Sequence, residues 1–147
     1  MSAVIDSHHD DHHHGPAKGF SRWLYTTNHK DIGSMYLWFS LIMLFVGGAM
    51  AMVIRAELFE PGSQIVSPEF YNQMVTNHGL IMVFGVIMPA FVGFANWMIP
   101  MQIGAPDMAL PRLNNLSFWI LPVAFGILLS TFFMEGGGPN FGWTFYA

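Results

Sequence analysis

The sequence contains no cysteine and very little charge, and each shortage excludes classes of protein. Without cysteine there is no disulfide, no thiolate zinc site, no cysteine-ligated iron–sulfur cluster and no cysteine nucleophile. Charged residues make up 10% of the 147 residues, whereas a typical soluble domain has about 25%. Five Lys and Arg against nine Asp and Glu exclude a basic protein that binds nucleic acid. With 53% hydrophobic residues, the composition predicts a chain whose solvent is lipid.

Three long runs predict an all-α, polytopic membrane protein with three transmembrane helices. The runs cover about 32–54, 78–103 and 116–134, and His78 is the only Asp, Glu, Lys, Arg or His residue within them. At about 1.5 Å per residue, each run is long enough to cross the roughly 30 Å hydrocarbon core. Asn114 and Asn115 lie directly before the third run, and we expect them to cap its N-terminus.

The distribution of basic residues predicts the orientation of these spans. Lys18, Arg22 and Lys30 precede the first span and Arg112 lies between the second and third, so these four share one side of the membrane. Only Arg55 falls on the other side. Because cytoplasmic loops carry the excess of Lys and Arg, we expect a cytoplasmic N-terminus and an external Arg55. No signal peptide is expected, since no basic region precedes a short apolar one.

Two segments precede the first span. Residues 1–17 include the tract HHDDHHH at 8–14, which predicts a disordered, His-rich cytoplasmic tail, with metal capture by the histidines as the alternative. Residues 18–31 combine aromatic and basic side chains, a mixture typical of a segment at headgroup depth. Within this interfacial segment we expect His29 to be a polar surface residue.

His78 is the most informative single residue, because a histidine that faces hydrocarbon is costly. Two interpretations stay open from the residues alone. The residue is either a helix-start histidine that bonds a neighbouring span or interfacial water, or an axial ligand of haem iron. Met82, Gly85 and Val86 lie on its helix face, and glycine lets either a macrocycle or another helix approach. Asn96 follows about five helical turns later, so we expect it on the same face at the opposite membrane surface.

A carboxylate and two amides lie near the predicted cytoplasmic surface. Asp107 is in the loop between the second and third runs, and Asn96 and Asn114 flank that loop. Because amides orient water without a competing charge, this group can begin a proton path. The alternative is an ordinary loop aspartate accompanied by helix-capping amides.

Four stretches of the sequence resemble subunit I of the cytochrome c oxidases, in the haem–copper oxidase superfamily. They are TTNHKDIG (26–33), NHGLIMVF (77–84), ANWMIPMQIGAPDMALPRLNNLSFW (95–119) and GWTFY (142–146). The resemblance runs from about residue 19 to the last residue. It implies an N-terminal fragment that carries the first three helices of a twelve-helix bundle in the bacterial inner (plasma) membrane. It also implies a respiratory oxidase that passes electrons from cytochrome c through subunit II to oxygen and pumps protons, with subunit III as a further partner.

The resemblance implies haem contacts for three residues. His78, in the NHG motif, is similar to one of the two axial ligands of the low-spin haem a. Arg55 matches the arginine that hydrogen-bonds the formyl group of that haem; the alternative is an interfacial arginine whose stem packs on apolar surface. Trp143 resembles a tryptophan near a propionate of the high-spin haem.

The resemblance also implies a proton pathway and a cation site. Asp107, Asn96 and Asn114 match the entrance of the family's D proton pathway, which favours the functional interpretation of this group. An external loop falls where the family binds calcium or sodium, and the corresponding residues are Glu57, Glu60, Gly62 and Gln64. Glu60 stands where some relatives have histidine, so the identity of the cation stays open.

The ligands of the high-spin haem and of copper belong to later helices in that family, so we expect this chain to be inactive on its own. Two alternatives stay open. One is a quinol-oxidising relative, because subunit I is shared while the electron donor differs. The other is a small three-span membrane protein without a cofactor. Visible absorption of the intact complex would distinguish these alternatives.

Overall fold

The computed structural model describes residues 19–146, and in this range all regular secondary structure is helical. The predicted tail at 1–17 lies outside the described residues. The helices are α1 (Phe20–Tyr25), α2 (His29–Glu57), α3 (Pro68–Leu80), a π-helix (Ile81–Ile87), α4 (Met88–Ile103), α5 (Pro111–Ser130) and a 3₁₀ turn (Thr131–Phe133). The π-helix joins α3 to α4 without a break.

In the described part of the chain, three continuous helical segments, called rods below, are long and apolar enough to cross a membrane: His29–Glu57, Pro68–Ile103 and Pro111–Phe133. The prediction of an all-α chain with three membrane-spanning helices is therefore confirmed. The second rod begins well before the predicted boundary, because the Ser67 side chain accepts a hydrogen bond from the Phe70 N–H and Pro68 occupies the first helical position. His78 consequently lies inside the helix and not at its start.

The third rod also begins earlier than expected. It starts at Pro111, whose fixed φ suits the first turn of a helix, so Asn114 and Asn115 lie inside α5. The expectation that these two amides cap the helix is wrong. The Asn115 Nδ2 atom instead donates to the carbonyls of Leu24 and Thr26, both at 2.9 Å, and thereby holds the end of α1 against α5.

Helix α2 lies at the centre and packs against α3, the π-helix, α4 and α5. Its aromatic residues meet those of α5 edge to face: the Tyr36 and Phe118 ring centroids are 5.2 Å apart and the Phe39 and Phe125 centroids 5.6 Å. Such aromatic pairs add to the apolar area that the helices bury. The other buried apolar side chains of the core are Ile32, Met35, Met43, Met50, Met74 and Ile81.

Glycines let the backbones of α2 and α4 touch. A Cβ atom placed on Gly33 would lie 2.9 Å from the Gly93 carbonyl oxygen, and one on Gly93 would lie 3.0 Å from the Gly33 oxygen. The space beside Gly85 is occupied in the same way, because a Cβ there would lie 3.0 Å from the Phe125 ring. Gly85 and Gly93 therefore serve helix packing, which membrane proteins achieve with small residues.

The π-helix changes the phase of the second rod. At its end the Met88 N–H bonds the Val83 carbonyl, five residues back. Because a π-turn holds more residues than an α-turn, every later side chain is rotated around the axis. The His78 ring bonds Gly47 of α2, whereas the Asn96 side chain bonds Asn114 of α5. The Asn96 Cβ also adjoins α2, because a Cβ placed on Gly33 would lie 3.3 Å from it. The expectation that His78 and Asn96 share one face stays a prediction.

Candidate functional site

The His78 ring is held by the backbone of α2. Its Nδ1 atom lies 2.8 Å from the Gly47 carbonyl oxygen. A carbonyl only accepts hydrogen bonds, so Nδ1 carries the proton and the lone pair of Nε2 is left for another partner. The second rod can approach α2 this closely because residue 47 is glycine: a Cβ there would lie 2.8 Å from the Met82 sulfur. A metal-ligating histidine has this tautomer and this kind of hydrogen bond to a carbonyl.

Trp143 lies beside the turn that carries His78, although it is far away in sequence. A Cβ placed on Gly79 would lie 3.2 Å from the Trp143 Cβ, so the indole packs directly on the helix backbone. The neighbouring Gly142 N–H donates to Thr76 Oγ1 at 3.0 Å. Sequence reasoning did not identify Thr76. Its only signal was a small polar residue one helical turn before Gly79.

Arg55 occupies the last turn of α2, beyond the level of Gly47. It is exposed, and its guanidinium forms no hydrogen bond or ion pair within residues 19–146. The guanidinium is therefore available to a group outside the described part of the chain. Its predicted role toward a haem formyl group stays a prediction.

At the other end of α2, three polar side chains meet. Asn96 is 3% exposed; its Nδ2 donates to the Val92 carbonyl at 2.9 Å, and its Oδ1 accepts from Asn114 Nδ2. The His29 Nδ1–H donates to the Asn96 carbonyl oxygen at 2.9 Å. That carbonyl lacks its usual helical partner, because Pro100 has no N–H. His29 is 6% exposed, so the expectation of a surface histidine is wrong.

Asp107 lies in the loop between α4 and α5, partly buried. Its Oδ1 accepts a hydrogen bond from the Met108 N–H at 2.8 Å. No direct hydrogen bond joins this carboxylate to Asn96 or Asn114 in the described structure. The structure thus brings the two amides together and places Asp107 on the adjoining loop.

A pair of hydroxyl groups extends the amide cluster toward the membrane interior, and the sequence interpretation missed it. Ser117 Oγ donates to the Asn114 carbonyl at 2.6 Å, and Tyr36 Oη lies 2.8 Å from Ser117 Oγ. Because the Ser117 proton is already engaged, the tyrosine hydroxyl is the donor in the second bond. The signal available in the sequence was the i, i+3 spacing of Asn114 and Ser117 on one helix face.

The predicted cation loop is organised by Glu57. This carboxylate is 6% exposed and accepts hydrogen bonds from the backbone N–H groups of Gln64, Ile65 and Val66, at 2.8, 2.8 and 3.0 Å. Gly62 has φ +102, and the exposed Glu60 makes no side-chain hydrogen bond. Within residues 19–146, no group of three or more His, Cys, Asp or Glu side chains is placed to hold a metal ion. The calcium or sodium site stays a prediction.

These features define a polytopic helical membrane protein in which the His78 ring is oriented by a carbonyl of the central helix and a polar cluster lies at the opposite end of that helix. Residues 31–147 match the family described as cytochrome c and quinol oxidase polypeptide I, and the chain belongs to that family. The match confirms the resemblance found in the sequence.

Three curated relatives show the range of this similarity. Cytochrome c oxidase subunit 1 of Corynebacterium diphtheriae is 48% identical over 134 residues, which is 90% of this chain and 24% of the relative. The probable cytochrome c oxidase subunit 1-alpha of Streptomyces coelicolor is 46% identical over 132 residues, 90% of this chain and 23% of the relative. The heme-copper oxidase subunit I+III of Aeropyrum pernix is 46% identical over 126 residues, 86% of this chain and 16% of the relative. The chain spans less than a quarter of the length of these proteins.

Proposed function

We propose that this chain is the N-terminal part of the catalytic subunit of a respiratory terminal oxidase, which transfers electrons from cytochrome c to oxygen and pumps protons. The observation that carries the proposal is the His78–Gly47 hydrogen bond, which leaves the Nε2 lone pair free. Two of the relatives are named as cytochrome c oxidases, which supports cytochrome c as the donor. Subunits II and III are the proposed partners, and the bacterial plasma membrane, with a cytoplasmic N-terminus, is the proposed location.

The residues present fit one side of a low-spin haem a. His78 would hold the iron, and its Nδ1–H···O bond to Gly47 orients the imidazole and raises the basicity of Nε2. Bound haem supplies one-electron transfer, while the protein supplies ligand orientation and electrostatics. Arg55 is the proposed donor to the formyl group, and Trp143 the proposed neighbour of a high-spin haem propionate. The ligands of the high-spin haem and of copper are expected outside this chain.

At the opposite end, the polar cluster supports proton uptake. Asp107 is the proposed collector of protons from bulk water, since a carboxylate at a membrane mouth raises the local proton concentration. The Asn96–Asn114 pair would orient water without adding charge, and Ser117 and Tyr36 continue the line of polar groups inward. Two observations support this order: the Asn96 and Asn114 amides bond each other, and Ser117 bonds both the Asn114 backbone carbonyl and the Tyr36 hydroxyl. Asp107 lies on the adjoining loop.

The external loop is the proposed site of calcium or sodium. Glu57 offers its remaining carboxylate lone pairs, and Gly62 and Gln64 offer carbonyl or amide oxygens, the ligands that hard cations prefer. Glu60 is exposed on the same loop and is the one further carboxylate there. The three backbone N–H bonds to Glu57 already hold the loop, so a cation would add to an organised site.

The test uses the full-length subunit in the purified oxidase. His78→Ala should remove the low-spin haem band from the visible spectrum. The matched control is His29→Ala, which removes a buried histidine at the opposite end of α2 and should leave that band in place. An unchanged low-spin band in the His78 variant would contradict the proposal.

The electron donor is tested separately, because the family description covers both cytochrome c and quinol oxidases. Oxygen consumption is measured with reduced cytochrome c and, in parallel, with a reduced short-chain quinol. The proposal expects turnover with cytochrome c and the spectrum of haem a. Turnover with quinol alone would identify a quinol oxidase.

A further inference from the structure

Residues 134–146, named here the C-terminal strap, return to the second rod after the third span and lie on α3. The anchoring bond is between the Gly142 N–H and Thr76 Oγ1, at 3.0 Å in a buried position. Thr76 itself is 1% exposed. No bulk water competes for this hydrogen bond, so losing the hydroxyl would leave the Gly142 N–H without a partner.

The Thr76 hydroxyl both donates and accepts a hydrogen bond. It donates to the Asn72 carbonyl at 2.9 Å, one turn back in α3, and it accepts from Gly142. The first bond fixes the orientation of the hydroxyl, so its lone pair points to the strap. Only serine or threonine offers a short hydroxyl that can do both.

Two contacts beside this bond depend on close packing. Gly79 lies three residues after Thr76, on the same side of α3, and it receives the Trp143 side chain. A Cβ on Gly138 would lie 3.0 Å from Asn77 Nδ2, so the strap also fits closely there. The strap therefore follows α3 along the turn that holds His78, whose ring points away to α2.

This turn is held between two partners. On one side the Gly47 carbonyl accepts from His78, and on the other the strap bonds Thr76 and covers Gly79 with the Trp143 indole. We infer that Thr76 is a positioning residue that keeps Trp143 against the turn carrying His78 and thereby limits the access of water to that turn. The inference rests on the proposed function, because it concerns haem bound by His78.

The physical consequence is a change in reduction potential. Solvent exposure is one of the properties that set the potential of a haem, and ferric haem carries one more positive charge than ferrous haem. Water stabilises the more charged state. Loosening of the indole should therefore lower the midpoint potential of the low-spin haem while His78 still binds the iron.

The experiment compares three variants of the full-length oxidase. Thr76→Val keeps the shape and removes the hydroxyl, and Thr76→Ser restores it. The matched control is Ser130→Ala, because the exposed Ser130 hydroxyl donates to the Ile127 carbonyl, three residues back in its own helix. Amide hydrogen exchange is measured in a peptide that contains Gly142, and the midpoint potential of the low-spin haem is measured by redox titration of its visible band.

We expect Thr76→Val to keep the low-spin band, to speed exchange at Gly142 by about two- to tenfold, as the loss of one hydrogen bond implies, and to lower the potential. Thr76→Ser should return both values to wild type, and Ser130→Ala should change neither. A wild-type potential in Thr76→Val, with or without faster exchange, would overturn the inference. Failure of the proposed function is distinct, because the wild-type enzyme would then have no low-spin haem band.

A second variant keeps the inference testable where Thr76→Val does not accumulate. Gly79→Ala places a Cβ 3.2 Å from the Trp143 Cβ and pushes the indole away without touching the Thr76 hydroxyl. It should lower the potential in the same direction. A wild-type potential in Gly79→Ala would overturn the inference as well.

Discussion

The contact between Gly33 and Gly93 offers the sharpest test of the helix packing. In Gly33→Ala the new Cβ would lie 2.9 Å from the Gly93 carbonyl oxygen and 2.8 Å from Trp97 Cδ1. Ordinary contact begins at 3.4 Å. The obstacle in α4 is backbone, which cannot rotate away, so the two helices must separate by about 0.5 Å, the difference between these distances.

The separation would also stretch the bonds on each side of the contact. His29 Nδ1 is 2.9 Å from the Asn96 carbonyl, and Trp97 Nε1 donates to Ser34 Oγ at 3.0 Å. A further half ångström brings both to the limit of a hydrogen bond. Overpacking of this kind costs about 1–3 kcal/mol, which corresponds to roughly a 5–150-fold change in an equilibrium constant.

The assay is thermal inactivation of the purified full-length oxidase in one detergent, followed by the loss of its visible haem bands. Gly33→Ala should inactivate at least about fivefold faster than wild type at a fixed temperature. The control is Gly48→Ala on the same helix, because a Cβ there meets nothing within 4 Å. Equal inactivation rates for the two variants would refute the packing argument.

Three further predictions concern single residues of the full-length enzyme. Asp107→Asn should lower turnover and abolish pumping while the haem spectra stay unchanged; wild-type values of oxygen consumption and of protons pumped per electron would make Asp107 an ordinary loop carboxylate. Arg55→Met should shift the low-spin haem band, and an unshifted band would identify an interfacial anchor. Glu57→Gln should speed proteolytic cleavage of the loop at 58–66, because an amide has one acceptor oxygen for three N–H groups. Glu60→Gln is its exposed control, and equal cleavage rates in the two variants would contradict the loop role of Glu57.

The number of membrane-spanning helices could be predicted from the sequence, because such a helix is recognised by length and apolar composition alone. The ends could not. The helices continue past the apolar core into polar residues such as Glu57 at one end and Glu69 at another. Their true limits depend on caps and on prolines such as Pro68 and Pro111, which lie outside the apolar runs.

The candidate site residues could be proposed one at a time from the sequence, whereas their hydrogen-bond partners required the structure. His78 and Asn96 stand out because polar groups are rare in spans, yet nothing in the run IMVFGVI at 81–87 distinguishes a π-helix from an α-helix. The extra residue per turn that the π-helix inserts between His78 and Asn96 was therefore beyond prediction. His29 was misjudged because its burial depends on a carbonyl that Pro100 leaves free in a different helix.

Helix α2 connects the two candidate sites: it donates a hydrogen bond to the second rod at one site and accepts one from it at the other. At its N-terminal end the His29 ring donates to a carbonyl of α4, and further along the Gly47 carbonyl accepts from the His78 ring of α3. Between these points the Ser40 hydroxyl donates to the Val86 carbonyl of the π-helix at 2.9 Å. An axial shift of α2 would lengthen all of these bonds together, since each joins α2 directly to the second rod. The proposed haem-ligand position and the proposed proton entrance therefore both depend on the placement of one helix.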